Sequence, residues 1–335
     1  MKTFLLLAVT ILSILTTSCA KIKPVQTEYV MGTFCSVNLF EKETPALHKE
    51  IFDRLRNLED ILSANKENTN ISHINEQAGI APVMAQKETL EILSLALDFS
   101  EKTNGAFDPT VGPLVKIWGI GTNEAVVPSF EKIQTALSLV DYKKVIISGN
   151  TVFLADKGMQ LDLGAIAKGY AADEVVKILE KHKIKRAIID LGGNVYAVGK
   201  KSRTKPWSIG IRDPQVESGK PILSVTIENK SVVTSGIYQR NFIEKGKLYH
   251  HILDTETGFP AENDLLSVTI ISSSSILADA LSTSAFLLGT EKGLKLIENT
   301  ENTEALFINK NKDVFVTKGL KGKLNIINDQ FIVRN

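Results

Sequence analysis

The sequence predicts an α+β fold in which helices pack on a largely antiparallel sheet. Alternating apolar segments typical of strands follow one another from residue 143 to residue 272, often joined by short turns such as Ser148-Gly149-Asn150. Segments with helical spacing interrupt these runs of strands, a pattern typical of α+β proteins. No internal repeat, low-complexity tract or linker divides residues 28–333, so we expect a single domain.

The individual elements are predicted from apolar periodicity and from the residues that end helices or form turns. The spacing of Ile51, Leu55 and Leu58, for example, predicts the first helix. The predicted helices are 45–62, 86–103, 129–139, 164–183, 275–288 and 290–299. The predicted strands are 28–40, 143–148, 151–154, 186–191, 194–199, 207–212, 222–227, 231–234, 240–244, 248–252 and 265–272, with a hairpin over 304–316. Two segments, 63–70 and 109–128, are predicted to be irregular.

The N-terminal residues have the features of a bacterial lipoprotein signal. Lys2 gives a short positive region, residues 4–15 are apolar, and small residues lead to Cys19. The apolar stretch is shorter than the roughly 20 residues that a membrane-spanning helix needs. The predicted organisation is a signal peptide over 1–18, a lipid-anchored tether over 19–27 that begins at Cys19, and a domain over 28–333. A plainly secreted protein is the alternative, because Thr16 stands where such signals usually have leucine.

Composition and charge exclude several functional classes. Charged residues make up 23% and hydrophobic residues 43% of the 335 residues, as in globular rather than disordered proteins. The formal net charge is +1 and no basic stripe or arginine cluster is present, so we expect no nucleic-acid partner. Cys35 is the only cysteine besides Cys19 and lies in an alternating apolar run. We expect Cys35 to be a small buried side chain and not a nucleophile.

The first of four candidate site segments is rich in glycine and proline. It runs from Gly105 to Pro113 and contains Asp108 between Phe107 and Pro109. Such a loop is rigid, and its backbone can approach a ligand closely. The alternative role for Asp108 is an Asx turn that organises the loop.

The second segment joins a predicted strand to a predicted helix. Asp162 ends the strand, Gly164 follows, and Lys168 lies one turn inside the helix. Free amide groups at a helix N-terminus bind anions, so the segment favours phosphate binding although the Walker spacing is absent. An exposed surface lysine is the alternative, and the small residues around Lys168 disfavour it.

The third segment contains two adjacent histidines, His250 and His251. Neighbouring strand positions point to opposite faces, so only one of them can face a given pocket. A neutral imidazole in that pocket can take a proton from an attacking hydroxyl group. A structural histidine with satisfied hydrogen bonds is the alternative.

The fourth segment places Asp279 and Thr283 four residues apart on a predicted helix, so that both side chains lie on one face. A carboxylate and a hydroxyl group, together with backbone oxygens, suit Mg²⁺ better than zinc. No histidine and cysteine set with zinc spacing occurs in the sequence. The alternative for Thr283 is a hydrogen bond back to its own helix.

Together these segments resemble the ApbE family, the FAD:protein FMN transferases, from Tyr29 to about residue 316. The matching motifs, in the family's order, are Met31-Gly32-Thr33, Phe107-Asp-Pro-Thr-Val-Gly-Pro113, Asp162-Leu-Gly-Ala-Ile-Ala-Lys-Gly-Tyr170, Gly192-Gly193, Thr234-Ser-Gly236, His251-Ile and Asp279-Ala-Leu-Ser-Thr283. The resemblance implies an ApbE-type, T-fold-like α+β domain. It also implies an enzyme that transfers FMN from FAD to a threonine or serine hydroxyl of another protein and releases AMP.

The resemblance further implies a set of site residues. Mg²⁺ would be held by the backbone oxygen of Ala165 and the side chains of Asp279 and Thr283. The implied FAD-binding residues are Met31, Asn65, Ala106, Phe107, Asp108, Asp162, Lys168, Ile252 and Leu253. The implied catalytic residues are His251, which activates the acceptor hydroxyl, and Lys168 and Asp279, which act at the pyrophosphate and the metal.

Family acceptors are subunits of membrane-bound redox complexes with a short Asp-x-x-Ser/Thr-Gly/Ser-Ala-Thr motif, whose final threonine takes the FMN. With the predicted lipid anchor, this implies an enzyme at the bacterial inner membrane that faces the periplasm.

One departure from the family pattern bears on the activity. Many members have a Ser-Thr-Tyr sequence near the adenine, whereas this chain has Ser63-Ala64-Asn65. A smaller polar residue can loosen the closed site and admit water, so Mg²⁺-dependent hydrolysis of FAD to FMN and AMP is the alternative or second activity. A non-catalytic flavin-binding lipoprotein is a third interpretation, which the intact candidate catalytic residues disfavour.

Overall fold

A nine-stranded sheet forms the centre of the computed structural model, which describes residues 25–216 and 220–334. In spatial order its strands are β1 (Gln26–Val30), β2 (Thr33–Leu39), β6 (Ala187–Leu191), β7 (Asn194–Val198), β10 (Lys230–Gly236), β13 (Leu265–Ser272), β14 (Thr303–Asn309), β15 (Asp313–Val316) and β17 (Ile332–Arg334). All neighbours in this sheet are antiparallel except β15 and β17. The predicted α+β class with a largely antiparallel sheet is confirmed.

Three smaller sheets surround the central one in the described part of the chain. The first contains β3 (Val83–Met84), β4 (Val145–Ser148) and β5 (Thr151–Leu154); the second contains β8 (Trp207–Arg212), β9 (Pro221–Ile227) and β16 (Leu324–Ile326); the third is the hairpin of β11 (Asn241–Glu244) and β12 (Lys247–His250). Each pairing within them is antiparallel.

The two faces of the central sheet are covered by different elements. The helices are α1 (Pro45–Leu62), α2 (Asn70–Glu76), α3 (Lys87–Lys102), α4 (Gly112–Trp118), α5 (Phe130–Leu137), α6 (Ala167–Lys181) and α7 (Ser275–Glu298). Ile270 of β13 is buried in a core with Leu55 of α1 and Phe286 of α7. The next residue, Ile271, is buried with Leu223 of β9 on the opposite face. Alternation along β13 thus separates a helical layer from a layer formed by β8, β9 and β16.

A small third core joins α4 and α5 to the β11–β12 hairpin. Leu114, Trp118 and Ile133 are fully buried there, and the Trp118 ring lies 5.5 Å from the ring of Tyr249. The indole nitrogen of Trp118 donates a hydrogen bond to the Gly258 carbonyl at 2.8 Å. This core fixes the segment on either side of His251 relative to the glycine-rich loop.

The segment predicted as one strand over 28–40 is two strands, so that prediction was wrong. Met31 and Gly32 have positive φ angles of 57° and 68° and turn the chain between β1 and β2. The strands pair from Gln26 with Val37 to Val30 with Thr33. Consequently the predicted tether over 19–27 is too long, since its last two residues already lie in β1.

Several short elements are not predicted by the apolar periodicity of the sequence. Helix α2 begins where an irregular segment was predicted to end, and its capping box uses Ser72 instead of the expected Glu or Gln. Helix α4 lies inside the segment 109–128, with a proline in its first turn and Gly119 in the left-handed conformation at its end. Strands β3, β16 and β17 have only two or three residues each, too few to show a period.

Two helix predictions need adjustment at their ends. The helix predicted over 164–183 begins only at Ala167, because residues 164–166 form a turn. The two helices predicted over 275–288 and 290–299 correspond to α7, whose backbone leaves the helical conformation at Gly289 (φ 73°, ψ 179°).

Nothing in the described ranges has a helix with both the length and the apolar character needed to cross a membrane. The predicted signal peptide over 1–18, Cys19 and the tether up to residue 24 lie outside the described residues.

Candidate active site

A large cleft of about 1380 Å³ brings the candidate residues together. All thirteen line it: Met31, Asn65, Ala106, Phe107, Asp108, Asp162, Ala165, Lys168, His251, Ile252, Leu253, Asp279 and Thr283. Binding sites for drug-sized molecules typically measure about 300–1,000 Å³. This cleft therefore has room for a dinucleotide together with part of a second molecule.

The crossing of α6 and α7 forms one wall of the cleft. A Cβ atom at Gly169 of α6 would lie 2.6 Å from Ile276 Cα and 2.7 Å from Asp279 Cβ, so only glycine permits this approach. On the next turn of α6, Asp173 accepts hydrogen bonds from the amides of Ser275 (2.8 Å) and Ile276 (3.0 Å). Asp173 thereby caps the N-terminus of α7 and fixes the two helices against each other.

Asp279 is held deep in this crossing with 4% of its surface exposed. The Gly169 amide donates to its Oδ2 atom at 2.8 Å, and the Lys168 ammonium lies 3.9 Å from the same atom. Burial raises the pKa of Asp279, while Lys168 and the Gly169 amide act in the opposite direction. A divalent cation beside this carboxylate would stabilise its charged form.

The same hydrogen bond makes a backbone oxygen available. In a continuous helix the Gly169 amide would donate to the carbonyl oxygen of Ala165, four residues earlier. It donates to Asp279 instead, and α6 begins only at Ala167. The Ala165 carbonyl therefore receives no hydrogen bond from the Gly169 amide, and Ala165 lines the cleft together with Asp279.

These oxygens fit the chemistry of Mg²⁺. Within residues 25–216 and 220–334, no group of three or more His, Cys, Asp or Glu side chains is placed to hold a metal ion. Magnesium sites commonly use one or two carboxylates and complete their ligand sets with substrate phosphates. Asp279, the Ala165 carbonyl and the Thr283 hydroxyl form such a set. Thr283 pairs at 3.1 Å with Ser235 of β10 rather than with its own helix.

Lys168 reaches across the start of α6. Its ammonium donates to the Gly164 carbonyl at 3.0 Å, and its side chain is 28% exposed. The Gly164 amide in turn donates to Asp162 Oδ1 at 2.7 Å, which shapes the loop before the helix. Lys168 is therefore not a surface lysine but a cation on the cleft wall.

The two adjacent histidines have different environments. His250 is buried, its Nδ1 accepts from the Ile252 amide (3.3 Å), and its Nε2 donates to the Ala261 carbonyl (3.1 Å). Both ring nitrogens are used, which makes His250 a structural residue whose pKa is lowered by burial.

His251 instead lines the cleft and uses only one nitrogen. Its Nδ1 lies 3.2 Å from the Arg240 carbonyl oxygen, which can only accept, so Nδ1 carries the proton. Removal of the ring from water, aided by the positive charge of Arg240, lowers the pKa of His251 to about 4. At neutral pH its Nε2 is therefore an unprotonated base.

Asp108 forms the Asx turn that was the alternative to ligand binding for this residue. Its Oδ1 accepts from the amide (2.7 Å) and hydroxyl (2.6 Å) of Thr110, and its Oδ2 accepts from the Tyr142 amide at 2.9 Å. Burial raises the pKa of Asp108, and these hydrogen bonds oppose that shift. The carboxylate organises the glycine-rich loop, so this segment can offer a ligand mainly its backbone.

The remaining candidates lie at separate parts of the cleft wall. Met31 is at the β1–β2 turn, Asn65 is exposed after α1, and Ile252 and Leu253 are buried beyond His251. Cys35 is fully buried, which confirms the expected small buried side chain. Burial raises the pKa of its thiol to about 12, which disfavours the reactive thiolate.

Three cleft residues were not identified as candidates from the sequence. Asp190 is the next-to-last residue of β6 and accepts a hydrogen bond from the Gly193 amide at 2.8 Å. Arg240 donates a hydrogen bond to the Gly32 carbonyl at 3.2 Å. Ser235 contacts Thr283. Asp190 lies two residues before the Gly192-Gly193 motif and Ser235 lies inside the Thr234-Ser-Gly236 motif, which are the signals that could have identified them. Nothing in the local sequence of Arg240 distinguishes it from a surface arginine.

Comparison with known proteins identifies the family of this chain. The model of the ApbE family matches residues 31–307, which is most of the chain. The chain belongs to the ApbE family. It is 40% identical over 325 residues to the FAD:protein FMN transferase of Treponema pallidum, covering 91% of this chain and 90% of that protein. It is 38% identical over 290 residues to that of Klebsiella pneumoniae, covering 86% and 90%.

Solved structures of ApbE proteins share the fold. The crystal structure of the ApbE protein from Thermotoga maritima has a TM-score of 0.81 and 31% identity, covering 90% of this chain and 98% of that one. The flavin transferase ApbE from Vibrio cholerae has a TM-score of 0.80 and 26% identity, covering 90% and 98%. The ApbE-type fold is thereby confirmed, and the relatives named as transferases place the chain in a family of enzymes.

Proposed function

We propose that this chain transfers FMN from FAD to a threonine or serine hydroxyl of an acceptor protein and releases AMP. The relatives named FAD:protein FMN transferase support FAD as the donor and a protein as the acceptor. One observation carries the proposal: the His251 imidazole and a set of oxygen donors that includes the buried Asp279 carboxylate line the same dinucleotide-sized cleft. Storage of flavin alone would need neither group.

The α6–α7 crossing would hold the pyrophosphate end of the site. Mg²⁺, when bound, would supply charge neutralisation at the pyrophosphate oxygens and favour attack on phosphorus. Asp279, the Ala165 carbonyl and Thr283 would hold it. Lys168 would place a second positive charge beside the same oxygens, where charge accumulates as the leaving group departs.

His251 would act as the general base. As the acceptor oxygen bonds to the FMN phosphorus, its proton moves to Nε2, which is free because Nδ1 is bound to Arg240. The bond from that phosphorus to the bridging oxygen breaks, and the electron pair leaves with AMP. The Arg240 carbonyl keeps the ring oriented throughout.

Hydrolysis of FAD is the second candidate activity, and Asn65 is the observation that favours it. This exposed residue stands on the cleft wall where many family members have tyrosine. Water could then replace the acceptor hydroxyl and give FMN and AMP. An Asn65→Tyr variant that hydrolyses FAD as fast as the wild type would contradict this account.

The test follows both products at once. The purified full chain is incubated with FAD and Mg²⁺, with and without an acceptor that contains the threonine motif, and in-gel flavin fluorescence and AMP are measured. We expect covalent fluorescence that disappears on chelation and falls at least 100-fold in Asp279→Ala and His251→Gln. His73→Gln, at an exposed position outside the cleft, is the matched control.

The outcomes separate the candidates. AMP release without labelling of the acceptor would support the hydrolase and contradict the transferase. Absence of both signals would leave only a flavin-binding protein.

The cellular location is also a proposal. A lipid on Cys19 would hold the enzyme at the periplasmic side of the bacterial inner membrane, near acceptor subunits of membrane redox complexes. The pattern of residues 1–19 supports it.

A further inference from the structure

A chain of hydroxyl groups connects Thr283 to the backbone of its own helix by way of a neighbouring strand. Thr283 Oγ1 lies 3.1 Å from Ser235 Oγ, and Ser235 Oγ lies 2.7 Å from Ser282 Oγ. Ser282 Oγ lies 2.9 Å from the carbonyl oxygen of Asp279. Ser235 and Ser282 are both buried, so bulk water has little opportunity to replace these contacts.

The last member of the chain determines the direction of every hydrogen bond in it. The Asp279 carbonyl can only accept, so the single proton of the Ser282 hydroxyl points at it. Ser282 must then accept from Ser235, which uses the only proton that Ser235 has. Toward Thr283, Ser235 can therefore only accept, and the Thr283 hydroxyl donates to it.

This direction determines which part of Thr283 faces the cleft. With its proton committed to Ser235, the Thr283 oxygen has its lone pairs left for another partner, and Thr283 lines the cleft beside Asp279. A cation needs lone pairs and is repelled by a hydroxyl proton. The arrangement on the β10 side thus prepares Thr283 as an oxygen ligand before any metal arrives.

We propose that Ser235 is a positioning residue that orients the Thr283 hydroxyl for metal binding. The inference rests on the proposed metal site and adds a residue that would not touch the metal. Without the Ser235 oxygen, Thr283 would lose its acceptor on β10 and could donate to a carbonyl of its own helix, as helical threonines commonly do. Partners of this kind typically change metal affinity about 10–100-fold.

The test of this role is the binding of Mn²⁺ to the purified full chain without nucleotide. The electron paramagnetic resonance signal of the free ion measures the binding. We expect Ser235→Ala to raise the dissociation constant about tenfold. Ser282→Ala should raise it too, because Ser235 is then free to direct its proton at Thr283. Neither change removes a proposed ligand, so an unaltered dissociation constant in Ser235→Ala would overturn the inference.

Ser284→Ala is the matched control. Ser284 is a buried serine on the same helix whose hydroxyl bonds to the Ala280 carbonyl at 2.8 Å, outside the chain of hydroxyl groups. If the role of Ser235 is purely structural, Ser235→Ala and Ser284→Ala should both lower the melting temperature of the metal-free protein. Neither variant should then change the dissociation constant for Mn²⁺.

Asp279→Ala distinguishes failure of the inference from failure of the metal site. We expect it to abolish the Mn²⁺ binding of the wild type. Wild-type binding that survives Asp279→Ala, or a wild type that binds no Mn²⁺, would overturn both the metal site and the role of Ser235. Loss of binding in Asp279→Ala together with wild-type affinity in Ser235→Ala would overturn the role of Ser235 alone.

Discussion

His250 and His251 have the same side chain and adjacent positions, yet their chemistry differs because of their hydrogen bonds. Both ring nitrogens of His250 are paired with the backbone, whereas His251 keeps Nε2 free toward the cleft. Strand alternation predicted that only one could face a pocket. His250 binds the Ala261 carbonyl and His251 binds the Arg240 carbonyl, and neither carbonyl is a sequence neighbour of its histidine. The positions of these carbonyls help to decide which histidine keeps an unpaired ring nitrogen.

The low pKa of His251 makes the pH dependence of FMN transfer a direct test of its role. Since the reactive form is neutral, kcat/KM should stay independent of this group above about pH 5 and fall as the pH decreases through about 4. An unperturbed histidine would produce this decrease near 6.5. The measurement is a pH–rate profile at saturating Mg²⁺.

An acid limb centred near pH 6.5 would contradict the lowered pKa of His251. His251→Gln is the control. The residual activity of this variant should not decrease through about pH 4, because the titrating imidazole is gone.

Two helices create the proposed metal-binding region by approaching closely. Gly169 allows the contact between α6 and α7, and Asp173 fixes it by capping α7. The amide of the same glycine binds Asp279 and not the Ala165 carbonyl. One backbone position thus links helix packing to the availability of two oxygen ligands.

Gly169→Ala should separate these helices and weaken the metal site together. The added Cβ would lie 2.6 Å from Ile276 Cα, a backbone atom that cannot rotate away. We expect the free energy of unfolding to fall by about 1–3 kcal/mol and the dissociation constant for Mn²⁺ to rise. Urea unfolding and metal titration measure the two effects.

Gly149→Ala controls for the loss of a glycine. Gly149 has a φ of 55° with open space around its Cα, so alanine there should cost about 1 kcal/mol through backbone strain and leave metal affinity unchanged. A Gly169→Ala protein with wild-type affinity for Mn²⁺ would show that the crossing does not shape the site.

On the scale of the whole molecule, three separate cores hold the parts of one cleft. The helical layer supplies Lys168, Asp279 and Thr283, while the small core around Trp118 supports the segment that follows His251. The layer of β8, β9 and β16 lies on the other side of the central sheet. Asp279 and His251 thus line one cleft although the elements that support them belong to different cores.

Anchoring of the whole molecule is tested by Cys19→Ala. Loss of the thiol removes the site of acylation, so we expect the protein to move from the membrane fraction to the soluble fraction. FMN transfer in detergent should remain within about twofold of the wild type, because the cleft lies in the described domain. Immunoblots of fractionated cells provide the measurement, and an unchanged membrane fraction in Cys19→Ala would contradict the lipid anchor.

The periodic segments were long enough to predict most elements, because burial of one face imposes a period of 3.6 or 2 on each of them. Short elements such as α4 and β16 escaped prediction, since three to seven residues contain too little of a period. The turn at Met31 and Gly32 escaped because a two-residue hairpin turn interrupts an apolar run without changing its composition.

Motifs were enough to predict the family, the fold and the candidate residues, because each motif combines residue types that metal and phosphate chemistry requires. They left open the role of Asp108, the group that orients the His251 ring and the partner of Thr283. These depend on the Tyr142 amide, the Arg240 carbonyl and the Ser235 hydroxyl, which are 11 to 48 positions away. Tertiary packing alone brings such groups within hydrogen-bonding distance, so no local pattern in the sequence records them.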